Sequence, residues 1–253
     1  MNFSLRSPSK LLVIIILCIY TSAIQAQDRT FTTFFPGLAV TIPLKNHIDL
    51  NLSSSIQYNL DDLTYGDQNF PAAINYYDFQ AGMVYKFTQQ VHFAAAWYFR
   101  QNDPGRITSS SENRFWQQIS VTSLLNNMRL RNRFRLEERI ISKESQATPL
   151  RWRFRYQIAL ETPLQGEKTD VGEFYLLIAN EAYFSLNKPR NAIYNENWIS
   201  GLLGYRLTKQ NRFEVGPVWQ AQIRNASKDM NNFFHLQLNF LFLLNFKKST
   251  SIK

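Results

Sequence analysis

Between Met128 and Glu161 the chain alternates with a period of two residues. One face of the first stretch carries Met128, Leu130, Phe134, Leu136 and Ile140; the other carries Arg129, Arg131, Arg133, Arg135, Glu137 and Arg139. The second stretch sets Leu150, Trp152, Phe154, Tyr156, Ile158 and Leu160 against Arg151, Arg153, Arg155, Gln157 and Glu161. Successive side chains point to opposite faces in an extended, pleated backbone, so both stretches are predicted strands. A face bearing eight arginines differs from the solvated side of an ordinary sheet, where both signs intersperse. It is the pattern expected of the lining of a transmembrane β-barrel.

The start of the chain is expected to address it out of the cytoplasm. Arg6 and Lys10 precede the apolar run Leu11–Tyr20, and the small, polar run Thr21–Ala26 ends before Gln27. A helix needs about 20 apolar residues to cross a bilayer, so residues 1–26 are expected to be a signal peptide. Cys18, the only cysteine, lies within that segment. The remaining chain therefore has no disulfide, thiolate metal site or cysteine nucleophile. Residues 27–246 are expected to form the barrel and 247–253 a polar tail.

Eleven alternating segments follow: Thr30–Pro43, His47–Asn59, Asn75–Phe87, Val91–Asn102, Asn113–Leu125, Met128–Ile141, Leu150–Glu161, Gly172–Ser185, Tyr194–Leu207, Asn211–Ile223 and Asn232–Phe246. Each is long enough to cross a membrane at a tilt of about 45°. Short turns at Leu44–Asn46, Thr88–Gln90, Asn126–Asn127 and Thr208–Gln210 alternate with longer polar loops, the asymmetry of an outer-membrane barrel. The link Thr162–Val171 is long where a short turn is due, and is expected to form a lip or a bulge. Bacterial single-chain barrels have even strand numbers, so an extra short strand within Asp28–Phe35 is expected. The fold class is all-β: an antiparallel, up-and-down barrel of about twelve strands, within a range of ten to twelve. Gly216-Pro217 inside a strand is expected to mark a bulge or bend.

Three features assign the apolar face to lipid. It carries almost no charge, as in Phe234, Leu236, Leu238, Phe240, Phe242 and Leu244; an arginine or lysine at the bilayer midplane costs about 2–4 kcal/mol. Aromatics collect near strand ends, with Tyr58, Tyr77, Phe79, Trp97, Phe99, Phe115, Trp152, Tyr194, Trp219 and Phe234 at one rim. Tyr85, Phe87, Tyr205 and Phe246 lie at the other, as two interfacial girdles would. Third, the opposite face is too charged for simple solvation. The alternative is a soluble periplasmic lipid-binding barrel with an apolar centre.

Parity assigns to the lumen Lys86, Arg100, Arg114, Arg129, Arg131, Arg133, Arg135, Arg139, Arg151, Arg153, Arg155 and Arg206. It also places there Asp49, Asp78, Glu112, Glu137, Glu161, Glu173, Glu181, Glu196 and Glu214. Guanidinium groups match carboxylates bidentately, and buried charges are tolerated mainly when paired. The expectation is an internal network in which Glu137, Glu173 and Glu181 partner the arginine ladders. Removing Arg6 and Lys10 leaves 26 basic against 19 acidic residues, a surplus held on strand faces. It is therefore read as lumen charge and not as a nucleic-acid footprint.

These features resemble a known family. Glu112-Asn-Arg-Phe-Trp-Gln-Gln118, Arg131-Asn-Arg-Phe-Arg-Leu-Glu-Glu-Arg139 and Arg151-Trp-Arg-Phe-Arg-Tyr156 resemble the Gram-negative outer-membrane proteins grouped as domain of unknown function 2490, frequent in the Bacteroidetes. Asn180-Glu181-Ala-Tyr-Phe184 and Gly204-Tyr205 follow in the same order. The resemblance implies an outer-membrane barrel and supplies no activity.

Function divides into three readings: a structural barrel stiffened by its network, a narrow anion-preferring pore, and a barrel-borne lipid hydrolase or deacylase. The last needs a serine near an oriented histidine. His92 and His235 face the lumen and His47 a turn; Ser120 and Ser200 point inward without a Gly-x-Ser-x-Gly turn. The chain is expected not to be an enzyme and to need no metal or cofactor. Asp61, Asp62 and Asp67 share a loop, yet calcium needs several converging oxygens. Expected partners are outer-membrane lipids and lipopolysaccharide, the latter through Arg106, Lys143, Lys188, Arg190, Arg224 and Lys228 of the loops. Periplasmic chaperones, the barrel-assembly machinery and small anions complete the list; nucleic acid is not among them.

Overall fold

The structure is a computed structural model and describes residues 28–106, 109–143, 149–187 and 192–245. The signal segment 1–26, Lys188, Arg190, Phe246 and the tail 247–253 lie outside the described residues. The strands, in chain order, are β1 (Arg29–Lys45), β2 (Ile48–Asn59), β3 (Leu63–Tyr65), β4 (Gln68–Phe70), β5 (Ile74–Lys86), β6 (Val91–Asn102) and β7 (Ser110–Leu125). Then come β8 (Met128–Lys143), β9 (Arg151–Pro163), β10 (Phe174–Ser185), β11 (Tyr194–Arg206), β12 (Asn211–Ile223) and β13 (Met230–Leu243). All but β3 and β4 form one closed barrel in the order β1-β13-β12-β11-β10-β9-β8-β7-β6-β5-β2.

The eleven wall strands fall within the range read from the sequence, but the parity problem is solved differently from the extra strand expected in Asp28–Phe35. β1 runs unbroken from Arg29 through Pro36-Gly37 to Lys45. It closes the wall by pairing in parallel with β13, from Arg29–Asn231 to Thr41–Leu243. An up-and-down wall with an odd number of strands brings its first and last strands together in the same direction, so a parallel seam is the only closure available. The other wall neighbours are antiparallel. Proline lacks a ladder donor, and the pairing of β1 with β2 skips from Phe34–Tyr58 to Gly37–Ser55 around Pro36.

Alternation sets the two faces. Phe134, Ile158, Ile178, Leu236 and Phe240 stand exposed on the outside, as do Tyr58, Tyr77, Trp97 and Phe115 near the long-loop end. Inside, Glu137 is 1% exposed, Arg114 4% and Arg153 5%. A soluble barrel would show the reverse, because burying guanidinium groups while exposing large apolar side chains is favourable only when the outside is hydrocarbon. Glu138 faces outward between Phe115 and Trp152, within the outer aromatic girdle.

Two segments partly cover the mouths. At the long-loop end, the β3–β4 hairpin folds over the seam. Tyr65 donates to the Thr30 carbonyl (2.8 Å) and accepts from its N–H (2.9 Å), and Phe31 packs edge-on against Phe70 while stacking on Phe233. At the other end, the long β9–β10 link forms the expected lip. Arg206 donates to the Thr169 carbonyl (2.8 Å), and the Gly172 N–H donates to the Arg206 carbonyl (2.8 Å) with Gly172 at φ 87°, a conformation that favours glycine. The bulge expected at Gly216-Pro217 does not occur: Val215 and Val218 keep one register with β11 and β13, and only the β11 ladder skips the proline pair.

Candidate functional site: an arginine-rich lumen

The inner face of β7–β11 is organised around three carboxylates, each shared between arginines. Glu112 accepts a bidentate pair from Arg114 two residues along the same strand (2.7 and 3.0 Å) and a further bond from Arg139 on β8. Glu137 accepts from Arg153 (2.7 Å) and Arg155 (2.7 Å) on β9, with Arg135 at 3.8 Å. Glu181 on β10 accepts from Arg155 (2.8 Å) and from Arg133 (2.7 Å), which reaches across β9. Arg153 also approaches Glu196 of β11 at 3.7 Å, so charge contacts run from β7 to β11.

Aromatic rings support the guanidinium planes. Arg114 lies over Tyr98 (4.3 Å), Arg135 over Trp116 (3.9 Å) and Arg155 over Tyr183 (4.4 Å). Desolvated contacts of this kind are worth up to about 2 kcal/mol each. Trp116 can lie along the wall because its register partner is Ala96, whose own partner is Gly82; its indole N–H reaches Gln80 of β5 at 3.1 Å. Arg135 completes the layer by donating twice to Gln118 (3.0 and 2.7 Å).

A hydrogen-bonded chain continues from Glu196 to the seam. Glu196 accepts from Trp198 (2.6 Å) and Gln220 (2.9 Å). Gln220 meets His235 Nε2 at 3.1 Å, and His235 Nδ1 meets Thr33 Oγ1 (2.5 Å) and Gln57 Nε2 (3.2 Å). Both imidazole nitrogens are engaged, with Thr33 the direct seam partner of His235. This pattern belongs to a structural histidine rather than a base waiting for a substrate.

Two large interior cavities open on the network. The upper, about 650 Å³, is lined among others by Tyr76, Arg131, Arg135, Arg155, Glu181, Trp198, Glu214 and Asn239. The lower, about 810 Å³, is lined by Arg129, Glu161, Lys168, Asp170, Tyr175, Arg206 and Arg212. Tyr175 donates to Glu214 (2.8 Å), so this bond joins the lining of one cavity to that of the other. The Tyr175 ring lies flat over Gly204, its register partner on β11; a Cβ there would overlap the ring. A smaller cavity, about 240 Å³, runs beside the seam past Gly37, Ala39, Ser53 and Asn239, sharing lining residues with both.

The structure distributes the sequence-selected residues unevenly. Arg114, Arg133, Arg135, Arg139, Arg153, Arg155, Glu112, Glu137 and Glu181 come together as described. Arg129 pairs with Glu161 at 3.5 Å in the lower cavity. Arg151 opens β9 opposite Arg139 at the long-loop rim. Arg131 lines the upper cavity. Glu173 does not join the network: it precedes β10, and its carboxylate accepts the Asp170 N–H (2.8 Å) in the lip. Arg212, not selected from the sequence, faces Glu161 at 3.7 Å; its even spacing from Glu214 carried that signal.

Replacing Glu173 by Arg212 changes the lumen balance. Among the described residues eight carboxylates of the wall strands point inward: Asp49, Asp78, Glu112, Glu137, Glu161, Glu181, Glu196 and Glu214. Basic side chains on that face outnumber them, among them Lys86, Arg100, Arg114, Arg129, Arg131, Arg133, Arg135, Arg139, Arg151, Arg153, Arg155, Arg206 and Arg212.

The hydrolase candidates are partly juxtaposed. His92 and Ser120 are register partners across β6 and β7, but Ser120 Oγ accepts from Gln118 (3.0 Å), and the neighbour of His92 on β5 is Lys86, which is held by Asp49 (2.7 Å). Among the described residues no carboxylate is hydrogen-bonded to that imidazole as a triad requires. Asp62 of the outer loop accepts the Ala72 N–H (2.7 Å). Among the described residues no three His, Cys, Asp or Glu side chains converge on a metal position. In the loops, Arg106 is tied to Asp103 (3.3 Å) and Arg224 to Asp229 (3.0 Å).

The family model described as "Protein of unknown function (DUF2490)" matches residues 32–231, which take in nearly the whole barrel wall, and the chain belongs to that family. The closed barrel and the family together make it an outer-membrane β-barrel with an internal arginine–glutamate network. No curated protein matches the chain.

Proposed function

We propose that this DUF2490 barrel is a narrow, anion-preferring passage through the outer membrane, with the arginine–glutamate network as its rigid wall and no catalytic role. The observation that carries the reading is the lumen charge: among the described residues, basic side chains on the inner face outnumber the eight carboxylates there, around cavities that share lining residues. Arginine-rich linings favour anions over cations. The cavity beside the seam, past Gly37, Ala39 and Ser53, is the smallest of the three at about 240 Å³, which fits small solutes only.

Planar-bilayer recording in a salt gradient tests this. The expected result is a small conductance whose reversal potential lies toward that of the anion, reduced in selectivity by Arg129→Glu with Arg206→Glu at the lower mouth. A large cation-selective conductance overturns it.

A second reading, a barrel filled for stability alone, is favoured by the Tyr175–Glu214 bond between the two main cavities; it predicts no conductance. The hydrolase reading rests on the His92–Ser120 juxtaposition. It predicts phospholipase or deacylase activity that His92→Ala abolishes. Lipopolysaccharide, the assembly machinery and periplasmic chaperones are the partners proposed for any barrel of this location.

A further inference from the structure

We propose that Arg131 is an anion-binding residue inside the barrel, and that the upper cavity takes a small monovalent anion there, in particular the carboxylate of a short organic acid. The proposal deepens the passage reading by naming the point where a permeating anion rests.

The guanidinium of Arg131 is without an ion pair or hydrogen bond among the described residues, although it points into the lumen and lines the upper cavity. Its neighbours on the same face are all engaged. Arg129 pairs with Glu161, Arg133 with Glu181, Arg135 with Gln118 and Glu137, and Arg139 with Glu112. The carboxylates around Arg131 are already committed. Glu161 is divided between Arg129 (3.5 Å) and Arg212 (3.7 Å). Glu214 accepts from Tyr175 (2.8 Å) on one oxygen and Asn239 (3.1 Å) on the other. Neutral donors thus hold the carboxylate that would otherwise neutralise Arg131.

The local wall gives the side chain room. In register order its row runs through Ala159, Ala179, Ser200 and Val218, small side chains over which a guanidinium and its ligand can lie. Two buried polar atoms next to it are unpartnered: Nε of Arg133, and Oε1 of Gln157, which is the register partner of Arg133. Such atoms are costly unless a ligand or water satisfies them. The cavity adds apolar surface from Leu177, Ala179, Leu202 and Val218. A guanidinium fork accepts a carboxylate in bidentate fashion, and a short acyl chain would occupy the apolar side.

The test is anomalous diffraction from crystals of the full barrel soaked in bromide, repeated with propionate or chloride added. The expected result is a bromide peak at hydrogen-bond distance from Arg131 that is lost in Arg131→Gln and kept in Arg131→Lys. Propionate should displace it at several-fold lower concentration than chloride. No peak at Arg131, or a peak that persists in Arg131→Gln, overturns the site; equal displacement by propionate and chloride overturns the carboxylate assignment. Bromide bound at Arg131 in a barrel that conducts no ions would sink the passage reading and leave the site standing. Anion-selective conductance unchanged by Arg131→Gln, with no bromide peak, would do the opposite.

Discussion

Arg133 on β8 passes over β9 to bond Glu181 on β10 at 2.7 Å. Arg155, on the intervening strand, bonds the same carboxylate oxygen at 2.8 Å. One carboxylate therefore ties three strands, and removing its charge strands the buried guanidinium of Arg133 while Arg155 keeps only one carboxylate, Glu137. Glu181→Gln should cost about 3–5 kcal/mol, the penalty for breaking a buried pair by deleting one partner. Equilibrium unfolding in lipid vesicles measures it; adding Arg133→Gln should restore part of the loss, because the orphaned charge is then gone.

The opposite outcome is expected at Lys168 and Asp170 in the lip. Their 3.9 Å pair has side chains 80% and 62% exposed, where solvent screens the attraction and side-chain entropy opposes it. Lys168→Ala should leave unfolding unchanged within about 0.5 kcal/mol. A larger loss would mean that the lip contributes to barrel stability.

Tyr175 and Gly204 should behave as a coupled pair. A methyl group at Gly204 overlaps the Tyr175 ring, so Gly204→Ala should cost about 1–3 kcal/mol by overpacking. Tyr175→Ala in the same chain should remove that penalty. Tyr175→Ala alone deletes the bond between the linings of the two cavities, and single-channel conductance should rise.

The parallel seam is held by side chains as well as ladder bonds. His235 engages Thr33, Gln57 and Gln220 at once. His235→Leu takes one hydrogen bond from each of those buried side chains, at about 1–3 kcal/mol for each polar atom left unsatisfied. Hydrogen exchange should quicken first in β1 and β13. Uniform quickening around the wall would contradict a special role for the seam.

Much of this was legible from periodicity. Arg129 through Arg155 alternate strictly, and a pleated strand leaves no freedom in which face they take, so the inner location of the network followed from spacing alone. The same rule failed at Glu173 because alternation ends with the strand: β10 starts at Phe174, and beyond it the backbone turns into the lip. Arg212 shared the parity of Glu214 and was readable on the same grounds. The seam was obscured by the even-number rule of single-chain barrels, which set aside the count of eleven segments; nothing in the alternation of β1 itself says whether its neighbour runs parallel or antiparallel. Cross-strand neighbours such as His92–Ser120 and Arg131–Ala159 were also hidden, because register depends on turn geometry and shear around the whole wall.

Which face meets lipid is tested most directly on β13, because its inner face carries neutral residues. Nitroxide labels placed singly at Leu236, Leu238 and Phe240, and at Gln237 and Asn239, can be read for oxygen and nickel-chelate accessibility in lipid vesicles. The outward set is predicted to be oxygen-rich and shielded from nickel, with Gln237 and Asn239 in opposite phase. Oxygen access peaking at Gln237 and Asn239, with Leu236 and Phe240 shielded, would contradict it.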